Sequence, residues 1–199
     1  MPYFLETISF LSQVLSVILA QRNSLLTYPI GLIGVGIACW IYWFQTTPPL
    51  YAEGTLHLYY VLVSLYGWYL WSRKNKRNNN LYPISSLSWM KKVYYLLATI
   101  LCYLIIWILL HLYTDSNSAQ LDAAVSASAA VAMILMAQRK IEHWLMWIAS
   151  NLIAIFLNYQ QGLKIFSFMF FIFLLLAIQG YGKWKKELKI TADPLNVSP

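Results

Sequence analysis

Residues 91–113, KKVYYLLATILCYLIIWILLHLY, open with two lysines and continue as an apolar run that is long enough to cross a lipid bilayer. A transmembrane helix needs about 20 mostly apolar residues to span the hydrocarbon core. The whole chain of 199 residues has this character, because 60% of its residues are hydrophobic and only 11% are charged. Ordinary soluble domains carry about 25% charged residues. The sequence therefore predicts an integral membrane protein that is surrounded by the lipid bilayer.

Apolar runs between polar breaks predict an all-α fold with seven transmembrane helices. The predicted helices cover residues 4–20, 26–44, 55–71, 91–113, 119–137, 142–159 and 164–182. With seven spans, thirteen of the fourteen lysines and arginines fall on one side of the membrane, and only Lys164 falls on the other. Because cytoplasmic loops are enriched in basic residues, we expect the N-terminus outside and the C-terminus in the cytoplasm.

Two pairs of similar segments predict an internal repeat. LAQRN (19–23) and MAQRK (136–140) end the first and fifth helices, 117 residues apart. YGWYLWSRKNK (66–76) and QGYGKWKKELK (179–189) close the third and seventh helices, and each has a glycine four residues before a tryptophan, 113 residues apart. A single linker helix between two three-helix units makes the units parallel. Transporters with such repeats bind their solute between the halves, near the midplane.

The predicted organisation follows from these segments. We expect an N-terminal three-helix repeat over residues 1–77, a linker helix over 91–113 and a C-terminal repeat over 119–189. Residues 190–199 read as a disordered cytoplasmic tail, because chain ends without apolar anchors are poorly ordered.

The sequence carries no enzyme signature. It has no Walker A loop, no HExxH, no GxSxG and no Cys/His metal spacing. We therefore expect no enzymatic activity, no cofactor and no metal site. Glu53, Asp122 and Glu142 lie at the ends of predicted helices, whereas ion-coupled transporters place ionisable groups inside the bundle. Transport, if it occurs, is expected to need no coupled ion.

One face of the sixth helix predicts a solute site. Trp144, Trp147 and Asn151 follow each other at three- and four-residue steps, and Asn158 lies seven residues further on. A buried amide is costly unless it is hydrogen-bonded, and either another helix or a ligand could bond Asn151. Indole faces attract cations, and amides orient a ligand by hydrogen bonds. The face therefore suits a flat, polar and cationic organic molecule.

Other helices carry further candidates of the same chemistry. In the third helix they recur at helical spacing, and single aromatic or amide residues occur in the second and seventh helices. These candidates are His57, Tyr60, Ser64, Trp68, Trp40 and Gln179. Aromatic belts at the membrane interface are common, so tryptophans near the membrane edges have packing or anchoring as an alternative role.

The WxxWxxxN pattern of Trp144, Trp147 and Asn151 resembles that of the PnuC-type vitamin transporters. AQRKIEHW (137–144) and YYVLVSLYGWYLW (59–71) share this resemblance, which covers residues 8–188. The resemblance implies a SWEET-like 3+1+3 fold, a homotrimer and a place in the bacterial inner membrane. It also implies facilitated diffusion of nicotinamide riboside, which a cytoplasmic kinase traps by phosphorylation.

Related subgroups of this family carry thiamine or riboflavin. Where nicotinamide riboside members often have Gln after a Leu in the third helix, this chain has Leu56-His57. Nicotinamide riboside is the leading expectation, thiamine is the first alternative and riboflavin the second. A structural or sensory membrane protein, in which the aromatic residues serve only packing, is the alternative from a different class.

Overall fold

A computed structural model of the chain describes residues 2–47, 51–73, 83–114 and 118–192. Across these ranges it contains seven α-helices, which confirms the helices predicted from the sequence. They are α1 Pro2–Gln21, α2 Thr27–Trp40, α3 Tyr51–Ser72, α4 Trp89–Tyr113, α5 Ala119–Ala137, α6 Glu142–Gln160 and α7 Lys164–Ala192. A π-helix, Ile41–Gln45, continues α2 directly.

The end of α7 differs from the prediction. The apolar run ends near residue 182, but the helix continues to Ala192. The reason is that six of the seven residues 183–189 are lysine, glutamate or leucine, which are good helix formers also in water. Residues 190–192, which were predicted to begin a disordered tail, are therefore helical, and the remainder of that tail lies outside the described residues.

In the described part of the chain, five helices are long and apolar enough to cross a membrane. They are Phe4–Gln21, Thr27–Gln45, Trp89–Tyr113, Ala119–Ala137 and Lys164–Ile190. The other two helices, α3 and α6, are the ones that carry most of the polar and aromatic site candidates. Because those side chains lower the mean hydropathy, the two helices need protein neighbours more than lipid along part of their surface.

The chain divides into two compact units, Met1–Pro83 and Ile84–Pro199. In the first unit, α2 packs against both α1 and α3. In the second unit, α6 packs against both α5 and α7, and α4 packs against α5. No residue of α4 is buried, as expected for a helix that faces lipid over most of its surface.

Interhelical hydrogen bonds and ring contacts hold the first unit together. Ser9 Oγ donates to the carbonyl oxygen of Gly34 at 2.8 Å. Cys39 Sγ donates to the carbonyl oxygen of Gly54 at 3.4 Å. These contacts join α1 to α2 and α2 to α3.

One ring contact of the first unit lies between Tyr28 and Trp71. Their ring centroids are 5.1 Å apart and their planes are nearly perpendicular, at 87°. Both side chains are buried. A Cβ atom at Gly67 would collide with the Tyr28 ring, so the glycine allows α2 and α3 to approach closely.

The second unit repeats these contacts with the donor exchanged in each hydrogen bond. Ser150 Oγ donates to the carbonyl oxygen of Val125 at 3.1 Å, and Ser167 Oγ donates to that of Ile155 at 3.0 Å. In terms of chain position, residues of α1 and α2 recur 116 positions later, and residues of α3 recur 113 positions later. The two units therefore use the same pairs of helix positions for their hydrogen bonds.

The offset of 117 residues that LAQRN and MAQRK predicted for the repeat is corrected to 116. Asn23 and Arg139 have left-handed backbones, with φ of 53° and 52°, and each lies two residues after its helix ends. They are 116 positions apart, whereas the AQR letters in LAQRN and MAQRK are 117 apart. The reason is that the helix end and the left-handed turn fix the correspondence, and the matching letters do not.

The segment before α4 is fastened to the turn between α5 and α6. The backbone N–H of Ser85 donates to the Arg139 carbonyl at 3.1 Å, and that of Ile141 donates to the Ser85 carbonyl at 3.0 Å. Oε1 of Glu142 accepts from the backbone N–H of Leu87 at 3.0 Å and lies 3.5 Å from Lys92 Nζ. These contacts place α4 in the second unit.

Candidate substrate site

Asn151 is the most informative of the predicted site residues. Its side chain is only 5% exposed. Among the described residues, the side-chain amide of Asn151 makes no hydrogen bond. Its amide atoms keep a small accessible surface. A buried amide without a bond costs roughly 1–3 kcal/mol. The missing interhelical partner favours a ligand as the group that bonds Asn151.

Trp144 lies in the packed interior of the second unit. It is 2% exposed, and its ring lies against Gly180 of α7. Its ring centroid is 5.8 Å from that of Trp184 at 88°, and 4.4 Å from that of His143. Its indole nitrogen is buried and has no hydrogen-bond partner among the described residues. Trp144 therefore corresponds to Tyr28 of the first unit, and its surroundings are those of a packing residue.

The other two candidates on α6 are less enclosed. Trp147 is half-buried, one helical turn before Asn151. Asn158 is also half-buried, and its Nδ2 donates to the Ala154 carbonyl of the same helix at 2.7 Å. The side-chain oxygen of Asn158, Oδ1, makes no hydrogen bond in the described part of the chain. Trp147, Asn151 and Asn158 together keep an indole face and two amides available.

On α3, the structure brings His57 and Tyr60 together with a residue that the sequence reading missed. His57 is half-buried, and its ring lies 5.6 Å from Tyr60 and 5.0 Å from Tyr42. His57 Nδ1 lies 2.9 Å from the Glu53 carbonyl oxygen. Ser64 lies further along α3 and is buried. Three rings therefore gather where α2 ends and α3 begins.

Tyr42 could not be selected from the sequence, because its position depends on the π-helix. Tyr42 and Trp43 are neighbours in the chain, and both reach α3: Tyr42 contacts His57, and Trp43 lies over Gly54. In an α-helix, consecutive side chains point about 100° apart. No motif in the sequence signals the change of helix type, and only the aromatic composition of IYWFQ (41–45) hints at a site.

Three predicted residues lie at the surface, apart from the buried candidates. Trp40 is 54% exposed, and its ring lies tilted against that of Phe44, with ring centroids 4.5 Å apart. Trp68 is 39% exposed, and Gln179 is exposed as well. In the described residues, no group of three or more histidines, cysteines or carboxylates is arranged to hold a metal.

Apolar helices, amide and aromatic faces within them, and repeated helix contacts define a multi-pass membrane transporter. The chain belongs to the nicotinamide mononucleotide transporter family, whose model matches residues 3–186. It is a transporter, as predicted, and not an enzyme. The resemblance to PnuC-type transporters that WxxWxxxN indicated is thereby confirmed.

Individual relatives agree with this assignment. The chain is 26% identical over 205 residues to the nicotinamide riboside transporter PnuC of Escherichia coli. This match covers 91% of this chain and 84% of the relative. It is 27% identical to that of Haemophilus influenzae, with 94% and 82% covered. It is 22% identical to the riboflavin/roseoflavin transporter RibM of Streptomyces davaonensis, with 86% and 79% covered.

A solved structure supports the fold. The crystal structure of the vitamin B3 transporter PnuC superposes with a TM-score of 0.74 at 24% identity, and the match covers 94% of this chain and 82% of that one. The helical arrangement of this chain is therefore similar to that of a known transporter.

Proposed function

We propose that this protein carries nicotinamide riboside across the bacterial inner membrane by facilitated diffusion. The observation that carries the proposal is the buried amide of Asn151, which follows the half-buried Trp147 on α6 and makes no hydrogen bond to another helix in the described part of the chain. The names of the relatives from Escherichia coli and Haemophilus influenzae favour this substrate over the alternatives. A cytoplasmic kinase would phosphorylate the imported solute and so keep the inward gradient.

The residues that we propose to bind the substrate divide by chemistry. Trp147 offers an aromatic face, which attracts a flat cation by about 2 kcal/mol or more when water is excluded. Asn151 and Asn158 offer amide groups, and His57, Tyr60 and Ser64 offer polar atoms in the first unit. Trp40, Trp68 and Gln179 were also predicted to bind the substrate. Their exposure at the surface does not favour that role, which stays a prediction. Trp144 is packed against Gly180 and Trp184, and this packing supports a role in positioning α6 more than a direct contact with the substrate.

We propose two parallel three-helix repeats joined by α4, in the manner of a SWEET-like fold. The recurrence of the Ser9–Gly34 contact as Val125–Ser150 supports equivalent repeats. The distribution of basic residues supports an N-terminus outside and a C-terminus in the cytoplasm. A homotrimer is part of the same proposal, on the resemblance to the family alone.

Thiamine is the second candidate, because it is also a flat cation and because His57 stands where nicotinamide riboside members often have glutamine. Riboflavin follows, supported by the similarity to RibM. A structural or sensory protein would make Asn151 an unexplained buried amide.

Uptake into proteoliposomes tests the proposal. Radiolabelled nicotinamide riboside should enter until the inside and outside concentrations are equal. With a nicotinamide riboside kinase and ATP enclosed, it should accumulate as the phosphate above that level. Asn151→Leu protein at the same density is the control and should transport at the background rate. Accumulation above equality without kinase, or equal rates for both proteins, would contradict the proposal.

A further inference from the structure

The π-helix at the end of α2 aims two consecutive aromatic residues at α3. The backbone N–H of Thr46 donates to the Ile41 carbonyl at 3.2 Å and closes the wide turn. π-Helical turns are rare and occur frequently at functional sites. Here the turn allows both Tyr42 and Trp43 to contact the first half of α3.

Trp43 fixes this turn in place. Its ring lies so close over Gly54 that a Cβ atom there would collide with it. One helical turn earlier, Cys39 Sγ donates to the Gly54 carbonyl. Gly54 is thus contacted both by α2 and by the π-helix that continues it. As a result, the Tyr42 ring has a defined place beside His57, at a centroid distance of 5.0 Å and an angle of 47°.

Tyr42 and His57 each present a polar side-chain atom that makes no hydrogen bond to the described residues. His57 Nδ1 can contact the Glu53 carbonyl at 2.9 Å only as a donor, because a carbonyl oxygen accepts. In the neutral ring the proton is then on Nδ1, and Nε2 is an acceptor. In the described part of the chain, neither His57 Nε2 nor the Tyr42 hydroxyl makes a hydrogen bond. Together they offer an acceptor, a hydroxyl and two ring faces.

A further observation agrees with a role in binding. Tyr42 lies 116 positions before Asn158, which is the offset that relates the helix contacts of the two units, so both units have a polar side chain at this position.

We propose that Tyr42 is a further substrate-contacting residue, and that Tyr42 and His57 together bind a hydrogen-bond donor of a flat, cationic substrate. This inference rests on the proposed function, because it assigns the pair to the same transported solute. The donor is a hydroxyl of the ribose or the N–H of the carboxamide in nicotinamide riboside.

Titration of purified full-length variants with nicotinamide riboside tests the inference. Tyr42→Phe and His57→Phe keep a ring and remove the polar atom, and each should raise the Kd roughly 3- to 10-fold, the effect of one lost hydrogen bond. His57→Gln keeps an acceptor and should recover much of the affinity. Tyr66→Phe, on the exposed part of α3, is the matched control and should bind like the wild type.

Two ligands distinguish the possible donors. Nicotinic acid riboside lacks the carboxamide N–H, and nicotinamide lacks the ribose. If Tyr42→Phe no longer raises the Kd for nicotinic acid riboside, the donor is the carboxamide N–H. If it no longer raises the Kd for nicotinamide, the donor is a ribosyl hydroxyl. Thermal unfolding without ligand must show that each variant is as stable as the wild type, and a destabilised Tyr42→Phe is replaced by Tyr42→Leu, which also lacks the hydroxyl.

The failures are distinguishable. Wild-type affinity in a folded Tyr42→Phe protein would overturn the inference and leave the proposed function intact. Absence of binding to the wild type would overturn the proposed function, and the inference with it.

Discussion

The indole ring of Trp144 lies directly against Gly180 of α7, where a Cβ atom would come within 2.5 Å of the ring. Trp184, one helical turn further along α7, lies against the same indole nearly at a right angle. Because Trp144 is sealed by these neighbours, it has no room to move away. The packing of α6 on α7 therefore depends on a missing side chain as much as on the two indoles.

Gly180→Ala is expected to destabilise the protein, by about 1–3 kcal/mol as in other overpacked cores. Thermal unfolding in detergent measures the change. Gly182→Ala is the matched control on the same helix, because a Cβ atom there meets nothing within 4 Å. Alanine is the better helix former, so the control should be neutral or slightly more stable. Equal stability of the two variants would show that the contact is not tight.

Gly67→Ala is expected to have a similar effect in the first unit. The Cβ atom would collide with the buried ring of Tyr28, as that of Gly180 would with Trp144. Gly36→Ala is the control, because nothing lies within 4 Å of its Cβ position. A drop in melting temperature for Gly67→Ala and none for Gly36→Ala would support equivalent repeats. A neutral Gly67→Ala would count against them.

Asn151→Leu is expected to weaken the binding of nicotinamide riboside while the protein stays folded. Leucine is close in size but cannot make the hydrogen bonds of an amide, and a lost bond to a polar ligand group costs roughly 1–3 kcal/mol. Calorimetric titration should show affinity reduced about 10-fold or more. Gln160→Leu removes an exposed amide from the same helix and should bind normally. Normal binding by Asn151→Leu would exclude Asn151 from the site.

The two tryptophans of α6 are expected to respond differently to truncation. Trp144→Ala should lower stability by about 3–5 kcal/mol, the usual cost of removing a large buried ring. Trp147→Ala should instead weaken binding with a smaller loss of stability, and Trp147→Phe should be milder, because an aromatic face remains. Trp89→Ala, at a highly exposed residue, should change neither. If Trp147→Ala binds normally, its role is packing.

Helix positions could be predicted from the sequence because the bilayer requires long apolar runs. For α5 the predicted bounds, 119–137, are those of the structure. The end of α7 could not be predicted in the same way, because hydropathy marks where a helix leaves the membrane and not where the helix ends. The change to a π-helix after Trp40 likewise has no hydropathy signal.

The candidate site could be predicted in part. Spacing predicted that Trp144 and Asn151 share one face of α6, and both residues are buried. Spacing could not show that Trp144 is enclosed by its neighbours and closed to a ligand, since that depends on Gly180, which lies opposite its ring on α7. It also could not select Tyr42, whose approach to His57 depends on the π-helix. Periodicity identifies a face of a helix, but the neighbouring helices decide which side chains of that face a ligand can reach.

Calorimetric titration of the purified wild-type protein with nicotinamide riboside, thiamine and riboflavin in parallel tests the central claim most directly. We expect nicotinamide riboside to bind at least about 10-fold more tightly than the other two, which corresponds to roughly 1.4 kcal/mol. Tighter binding of thiamine or riboflavin would contradict the proposed substrate. No binding of any of the three, by protein shown to be folded, would contradict the proposal of a vitamin site on α6.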